Sequence, residues 1–125
     1  MHLAKRMTNN RWIQVAAVSM SIAVGLGALG AHLLDSKLEA NGTLSTWRTA
    51  VLYQMVHGLA VLALALSGRL FKLTGWCFLV GTLCFSGSLY GLSLGGPAIL
   101  GPVTPLGGVL FLVGWLSVVL INRKC

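Results

Sequence analysis

The sequence predicts an all-α membrane protein, a four-transmembrane-helix bundle built from two helical hairpins. Its composition is the first reason: 56% of the 125 residues are hydrophobic and only 9% are charged, whereas a soluble domain carries about 25% charged residues. The second reason is four apolar runs, at about 12–34, 47–67, 73–92 and 105–121. Each run is close to the roughly 20 residues that cross a hydrocarbon core of about 30 Å. We therefore expect residues 1–125 to form a single membrane domain.

The first run needs a check, because Lys5 and Arg6 precede it and a basic segment before an apolar run can open a signal peptide. Signal peptides have apolar regions of about 7–15 residues and a small-residue cleavage site. The run that begins at Trp12 is longer and has no clean site of that kind. We expect it to be a retained helix.

Lysine and arginine predict the orientation, because these residues accumulate on the cytoplasmic side of membrane proteins. The N-terminus, the loop between the second and third spans, and the C-terminus hold most of them: Lys5, Arg6, Arg11, Arg69, Lys72, Arg123 and Lys124. Only Lys37 and Arg48 lie on the other side. The predicted topology is N-in, C-in. Tryptophans near the span ends fit an aromatic belt: Trp12, Trp47, Trp76 and Trp115.

Two loops have distinct characters. The polar stretch 35–46 contains Ser36 and Glu39 at capping-box spacing and a stop at Asn41-Gly42, which predicts a short interfacial helix after the first span. The stretch 94–104 is apolar and rich in glycine and proline, so it either lies at the interface or packs back against the bundle. Thr104 and Pro105 are expected to begin the fourth span.

Several function classes find no support in the sequence. The net charge of +7 lies at the membrane flanks and forms no basic stripe, so no nucleic-acid partner is expected. No metal-type cysteine pair, P-loop, paired carboxylates or activated nucleophile is present, and the glycines at 25–30 lack the strand and acidic residue of a dinucleotide site. We expect no metal site and no catalytic residues, lean against an enzyme, and leave any cofactor unknown.

An intramembrane polar group is the strongest candidate site. His57 lies near the middle of the second span, where an ionisable residue is a functional hypothesis. Gln54 is one turn earlier with Tyr53 beside it, and partners are expected among Ser86, Ser88 and Tyr90. Three interpretations stay open: a neutral histidine in an inter-helix hydrogen bond, a role in ligand, proton or ion handling, and haem or metal ligation.

A second candidate site lies at the outer face. His32 is close to the end of the first span, at a different depth from His57, which disfavours a transverse haem held by both. We expect His32 to meet Arg48, Glu39 or Tyr90. Small residues four apart are expected to form helix-packing faces: Gly27 with Ala31, and Gly87 with Gly91.

Four segments together resemble a known family. They are GALGAH at 27–32, TAVLYQMVH at 49–57, LCFSGSLY at 83–90 and LGPVTPLGG at 100–108, followed by Gly114-Trp115. In this order they resemble the domain-of-unknown-function 423 family of small bacterial membrane proteins, to which eukaryotic transmembrane protein 256 is similar. Leu52 stands where the family often has a basic residue, and Val56 where it often has an aromatic one.

The resemblance implies a four-span protein of the bacterial inner membrane, or of the mitochondrial inner membrane in a eukaryote, without an established reaction. Three function classes remain. The first is a structural or accessory protein acting through helix packing, as a homo-oligomer or with another membrane protein. The second handles a small molecule, lipid or ion through His57, Gln54 and Tyr53. The third is a haem- or quinone-binding subunit. The lipid bilayer is a partner in all three.

Overall fold

The computed structural model describes residues 2–122, with side chains from residue 9 onward. Every regular element in this part of the chain is a helix: α1 (His2–Ala31), α2 (Asp35–Ala40), α3 (Leu44–Leu66), α4 (Lys72–Ser93) and α5 (Leu100–Asn122). The four long helices are long and apolar enough to cross a membrane, α1 over Asn9–Ala31. The predicted four-helix bundle and the short helix after the first span are confirmed.

The charges that predict the orientation are only partly covered. Arg123 and Lys124 and the side chains of Lys5 and Arg6 lie outside the described residues. The N-in, C-in topology therefore stays a prediction.

The helices form two hairpins that meet along α3 and α4. Helix α1 packs against α3, α3 against α4, and α4 against α5, while contacts between α1 and α4 are sparse. Trp12 bridges that gap at one end, where its ring meets Trp76 edge-on with centroids 5.5 Å apart. The α1–α4 side of the bundle is consequently open along much of its length.

Burial is reversed relative to a soluble bundle. Large apolar side chains are widely exposed on the surface, as Leu33, Leu83 and Leu116 are. The buried polar side chains are Gln54, His57, Thr74, Ser86, Ser88, Ser93 and Ser117. Every buried side-chain nitrogen and oxygen among the described residues has a hydrogen-bond partner. Lipid solvates the apolar surface, and the interior satisfies polar groups that lipid cannot.

Glycines set how closely the helices approach. Gly107 on α5 lies against the backbone of α4: an added Cβ would overlap the Phe85 amide nitrogen and lie 2.8 Å from the Gly81 carbonyl oxygen. An added Cβ at Gly81 would lie 2.7 Å from the Phe111 ring, and one at Gly114 would overlap the Phe78 ring at 2.5 Å. Aromatic rings therefore fill the space that the glycines leave.

Helix α2 covers one end of the bundle. Its Leu38 is fully buried, and the turn after it uses Gly42 in the left-handed region at φ 69°. Thr43 Oγ1 donates to the Ser93 carbonyl at 2.8 Å, and Asn41 Nδ2 donates to the same oxygen at 3.3 Å. The turn between the first two spans thereby binds the end of the third.

Two expected helix starts are wrong. Helix α5 begins at Leu100 rather than at residue 105, and Thr104 lies inside it, its hydroxyl 3.4 Å from the Leu100 carbonyl. Pro102 falls in the first turn, where no amide hydrogen is required, so the helix passes it. Ser36 does not cap α2, which begins at Asp35 after Leu34 without a side-chain cap. The predicted stretch 94–104 therefore shortens to a loop over 94–99.

Candidate functional site

His57 is held between α3 and α5. Its Nδ1 lies 2.8 Å from the Tyr53 carbonyl oxygen, and Trp115 Nε1–H donates to its Nε2 at 3.0 Å. Because Nε2 accepts, Nδ1 carries the proton and donates to the carbonyl, which defines a neutral imidazole. The ring stacks on Phe111 with centroids 3.6 Å apart. Both nitrogens are already engaged, which favours the hydrogen-bonded role of His57.

Tyr53 lies on the same face of α3 as His57. The residue is 39% exposed, and its ring packs against Phe85 with centroids 4.5 Å apart. Through Phe85, Tyr53 of α3 joins the aromatic rings that pack between α4 and α5. Tyr53 therefore contributes ring packing next to His57.

Gln54 turns the other way, toward α1 and α4. Its Nε2 donates to the Ser19 carbonyl at 2.9 Å, and the Tyr90 hydroxyl donates to its Oε1 at 2.8 Å. Tyr90 in turn packs edge-on against Trp47, with centroids 4.8 Å apart. One glutamine thus links three spans through a part-buried network.

The two serines have partners of their own. Ser86 Oγ donates to the Ala50 carbonyl at 2.7 Å, joining α4 to α3. Ser88 Oγ and Thr104 Oγ1 are 2.5 Å apart, joining α4 to α5. The six residues expected to form one intramembrane cluster are therefore distributed over several contacts. Two pairs among them are hydrogen-bonded: His57 with the Tyr53 carbonyl within α3, and Tyr90 with Gln54 between α4 and α3.

The outer-face residues do not converge. His32, Glu39 and Arg48 are all exposed, and no hydrogen bond joins any two of them within the described part of the chain. Arg48 lines a cavity of about 230 Å³ between α1 and α3, beside Gly27 and Ala31. These three residues form no compact polar site in the structure.

The four expected packing residues have unequal surroundings. An added Cβ at Gly27 would lie 3.4 Å from Val51, and one at Gly91 would lie 2.6 Å from Leu100. Ala31 is exposed, and an added Cβ at Gly87 would meet nothing within 4 Å. Among the described residues, none comes within 4 Å of a Cβ added at Gly87, whereas Gly91 is closely approached by Leu100. Other close approaches occur at Gly30, Gly58, Gly75, Gly81, Gly107 and Gly114.

Sequence reasoning missed the partner of His57. Trp115 was assigned to the aromatic belt, yet it lies seven residues before the end of α5 at Asn122. An indole N–H in an apolar span requires an acceptor, and that requirement was the available signal. Nothing in the sequence comparably indicated that the carbonyl of Ser19 would accept the hydrogen bond from Gln54.

A lateral cleft opens on the sparse α1–α4 side. Its volume is about 670 Å³, within the roughly 300–1,000 Å³ usual for ligand pockets. Apolar side chains of α1 and α4 form its walls, among them Val18, Ile22 and Leu83, and Gln54 of α3 lies at its floor. The exposed Gly87 lies on the α4 wall and Arg11 at the N-terminal end. This cleft is the best-formed candidate for a binding site.

Comparison with known proteins places the chain among uncharacterised membrane proteins. It is 45% identical to a UPF0382 membrane protein of Staphylococcus saprophyticus, over 90% of this chain and 97% of that protein. It is 41% identical to the UPF0382 membrane protein YwdK of Bacillus subtilis, covering 90% and 96%. A UPF0382 membrane protein of Schizosaccharomyces pombe is 40% identical over 82% and 93%. No solved structure matches.

A family model covers the α3 and α4 residues of the candidate site, while the α1 wall of the cleft from Arg11 to Ile22 precedes the matched residues. Residues 26–108 match the model described as "Protein of unknown function (DUF423)". The match includes Gln54, His57, Gly87 and Tyr90, and the relatives extend it to nearly the full length of the chain. The chain is therefore a small integral membrane protein that belongs to the DUF423 family.

Proposed function

We propose that this protein binds the hydrocarbon chain of a membrane lipid or lipid-like molecule in the α1–α4 cleft. The observation that carries the proposal is the shape of the cleft. Its lining runs along α1 from Arg11 to Leu26, which is about 22 Å at 1.5 Å per residue. A long, narrow apolar cleft that opens sideways from the bundle suits a molecule that enters from the bilayer.

The width of the cleft separates possible occupants. Dividing 670 Å³ by this length gives a mean cross-section of about 30 Å². A helix about 10 Å across needs roughly 80 Å², whereas a polymethylene chain, with carbons packing about 4 Å apart, needs roughly 20 Å². The cleft can enclose one hydrocarbon chain, whereas a helix could only lie across its open side.

The floor of the cleft supports the same occupant. The Tyr90 hydroxyl is directed at Gln54, the Gln54 amide at Ser19, and the Ser86 hydroxyl at the Ala50 carbonyl. These three donors already have protein acceptors, so none of them requires a polar group on the ligand. An apolar chain leaves this network intact.

Gly87 provides the test, because it lines the cleft and a Cβ added there would have no described atom within 4 Å. Delipidated protein is mixed with dipalmitoyl phosphatidylcholine in detergent, and retained lipid is counted by native mass spectrometry. We expect the wild-type chain to hold one lipid under conditions that strip surface lipid, and Gly87→Phe to lose it. Gly25→Phe is the matched control, since Gly25 is exposed, also has nothing within 4 Å, and does not line the cleft.

The outcomes decide between ligand binding and ordinary surface lipid. Equal retention by Gly87→Phe and Gly25→Phe would overturn the proposal. An oligomer that Gly87→Phe alone dissociates would instead favour the accessory protein acting through helix contacts, with Gly87 in the interface. Thermal unfolding of both variants checks that each is folded.

We further propose that the protein lies in the bacterial inner membrane with both termini in the cytoplasm. The support is the distribution of lysine and arginine along the chain and the bacterial origin of the similar membrane proteins. Cysteine labelling checks this orientation after all three native cysteines, Cys77, Cys84 and Cys125, are replaced by alanine. Single cysteines at Ser36 and at Ser67 should then react from opposite sides of the membrane.

A further inference from the structure

We infer that the bound molecule is a phospholipid with a net negative headgroup, which lies at the Arg11 end of the cleft. The inference rests on the proposed function and deepens it by naming the ligand class and its direction. It starts from the uneven distribution of charge along the cleft.

Among the described residues that line the cleft, Arg11 is the charged one. It is exposed, and Gln14, one turn further along α1, is exposed beside it. A guanidinium donates two parallel hydrogen bonds to phosphate oxygens, and its charge persists at any physiological pH. This end of the cleft offers an anionic headgroup both charge and donors.

The opposite end offers neither. It is lined by Leu26 and Tyr90, and the Tyr90 hydroxyl hydrogen is directed at Gln54. Trp47, which packs against Tyr90, donates its indole N–H to the Leu26 carbonyl at 2.8 Å. A headgroup at this end would find no available donor among these residues, so the ligand has a defined direction.

The position of Arg11 along α1 agrees with this direction. It lies two residues after the start of the apolar segment Asn9–Ala31, at the depth where headgroups meet water. One leaflet of the hydrocarbon core is about 15 Å thick, and the lining of about 22 Å spans a headgroup region plus one chain. A single lipid of the leaflet next to the N-terminal end of α1 matches that length.

The test compares two lipids that differ only in headgroup: dipalmitoyl phosphatidylglycerol and dipalmitoyl phosphatidylcholine, supplied as an equal mixture. Native mass spectrometry gives the ratio of the two bound lipids. We expect the wild-type chain to prefer the anionic lipid about fivefold, the effect of one basic residue near an anionic lipid. Arg11→Gln should bring the ratio close to one, and Arg11→Lys should retain most of the preference.

Arg69→Gln is the matched control, because it removes the same charge from the same end of the bundle. Its guanidinium lies 3.4 Å from Asn122 of α5, away from the cleft. An Arg11→Gln protein that keeps the wild-type ratio, or an Arg69→Gln protein that loses it equally, would overturn the headgroup inference. A Gly87→Phe protein that retains both lipids as the wild type does would overturn the proposed function itself.

Discussion

The α4–α5 interface and the α1–α4 face both present glycine, yet one is closed and the other is open. At the closed interface, Gly107 lies against the backbone of α4 and Gly114 lies against the Phe78 ring of α4. On the open face, a Cβ added at Gly87 would meet nothing within 4 Å. The comparison teaches that a glycine contributes to helix packing only where a large group on the neighbouring helix occupies the space it leaves.

The largest expected effect is at the closed interface. Gly107→Ala adds a Cβ that overlaps the Phe85 amide nitrogen, and backbone there cannot move as a flexible side chain can. Overpacking of this kind costs about 1–3 kcal/mol. The free energy of unfolding, measured in mixed detergent micelles, should fall by that amount.

The adjacent glycine provides the control for that prediction. Gly108 has nothing within 4 Å of an added Cβ, and Gly108→Ala carries the same gain in helix propensity, about 1 kcal/mol. It should leave the bundle as stable as wild type or slightly more stable. Equal destabilisation by the two substitutions would mean that the α4–α5 approach is not the tight contact described.

A smaller effect is expected at the hydrogen bond that connects the closed interface to α3. Trp115→Phe removes the donor to His57 Nε2 and leaves that nitrogen without a partner. Hydrogen bonds within membranes contribute about 0.6–2 kcal/mol, and the free energy of unfolding should fall within that range. Trp76→Phe, at an indole that is 56% exposed, is the control, and a comparable loss there would contradict a specific role for the Trp115 N–H.

The smallest effect is expected at the floor of the open face. Tyr90→Phe removes the hydroxyl that donates to Gln54 Oε1 and keeps the ring against Trp47. The unfolding free energy should fall by about 0.6 kcal/mol, while lipid retention persists because the cleft stays apolar. Tyr53→Phe, whose ring contacts also remain, should change less. A complete loss of lipid in Tyr90→Phe would show that this hydroxyl binds the ligand.

The spans were predictable because they depend on composition summed over about 20 residues. The ends of the spans were less predictable, because about one turn of helix decides where α5 begins. Pro102 is compatible with the first turn of α5, so the helix starts before it. The short helix Asp35–Ala40 was predictable from its polar stretch and the glycine stop. Its expected serine cap failed because the helix begins at Asp35, which places Ser36 inside the first turn.

The site was less predictable because its contacts connect distant parts of the chain. Burial of His57 and Gln54 follows from a polar residue in an apolar span, and both are buried. Which helix each one faces does not follow: they lie three residues apart on α3 yet contact α5 and α1 respectively. Likewise, the spacing of Gly87 and Gly91 places both on one face of α4. It does not indicate that Leu100 of α5 covers the face at Gly91 and that the face at Gly87 stays open.

The bonds from Asn41 and Thr43 to the Ser93 carbonyl have a consequence for biogenesis. The two donors are synthesised about fifty residues before their acceptor, and chains generally fold from the N-terminal end during synthesis. The first hairpin can therefore present both donors before the third helix is complete. In that order of synthesis, the Ser93 carbonyl is completed when both of its donors are already present.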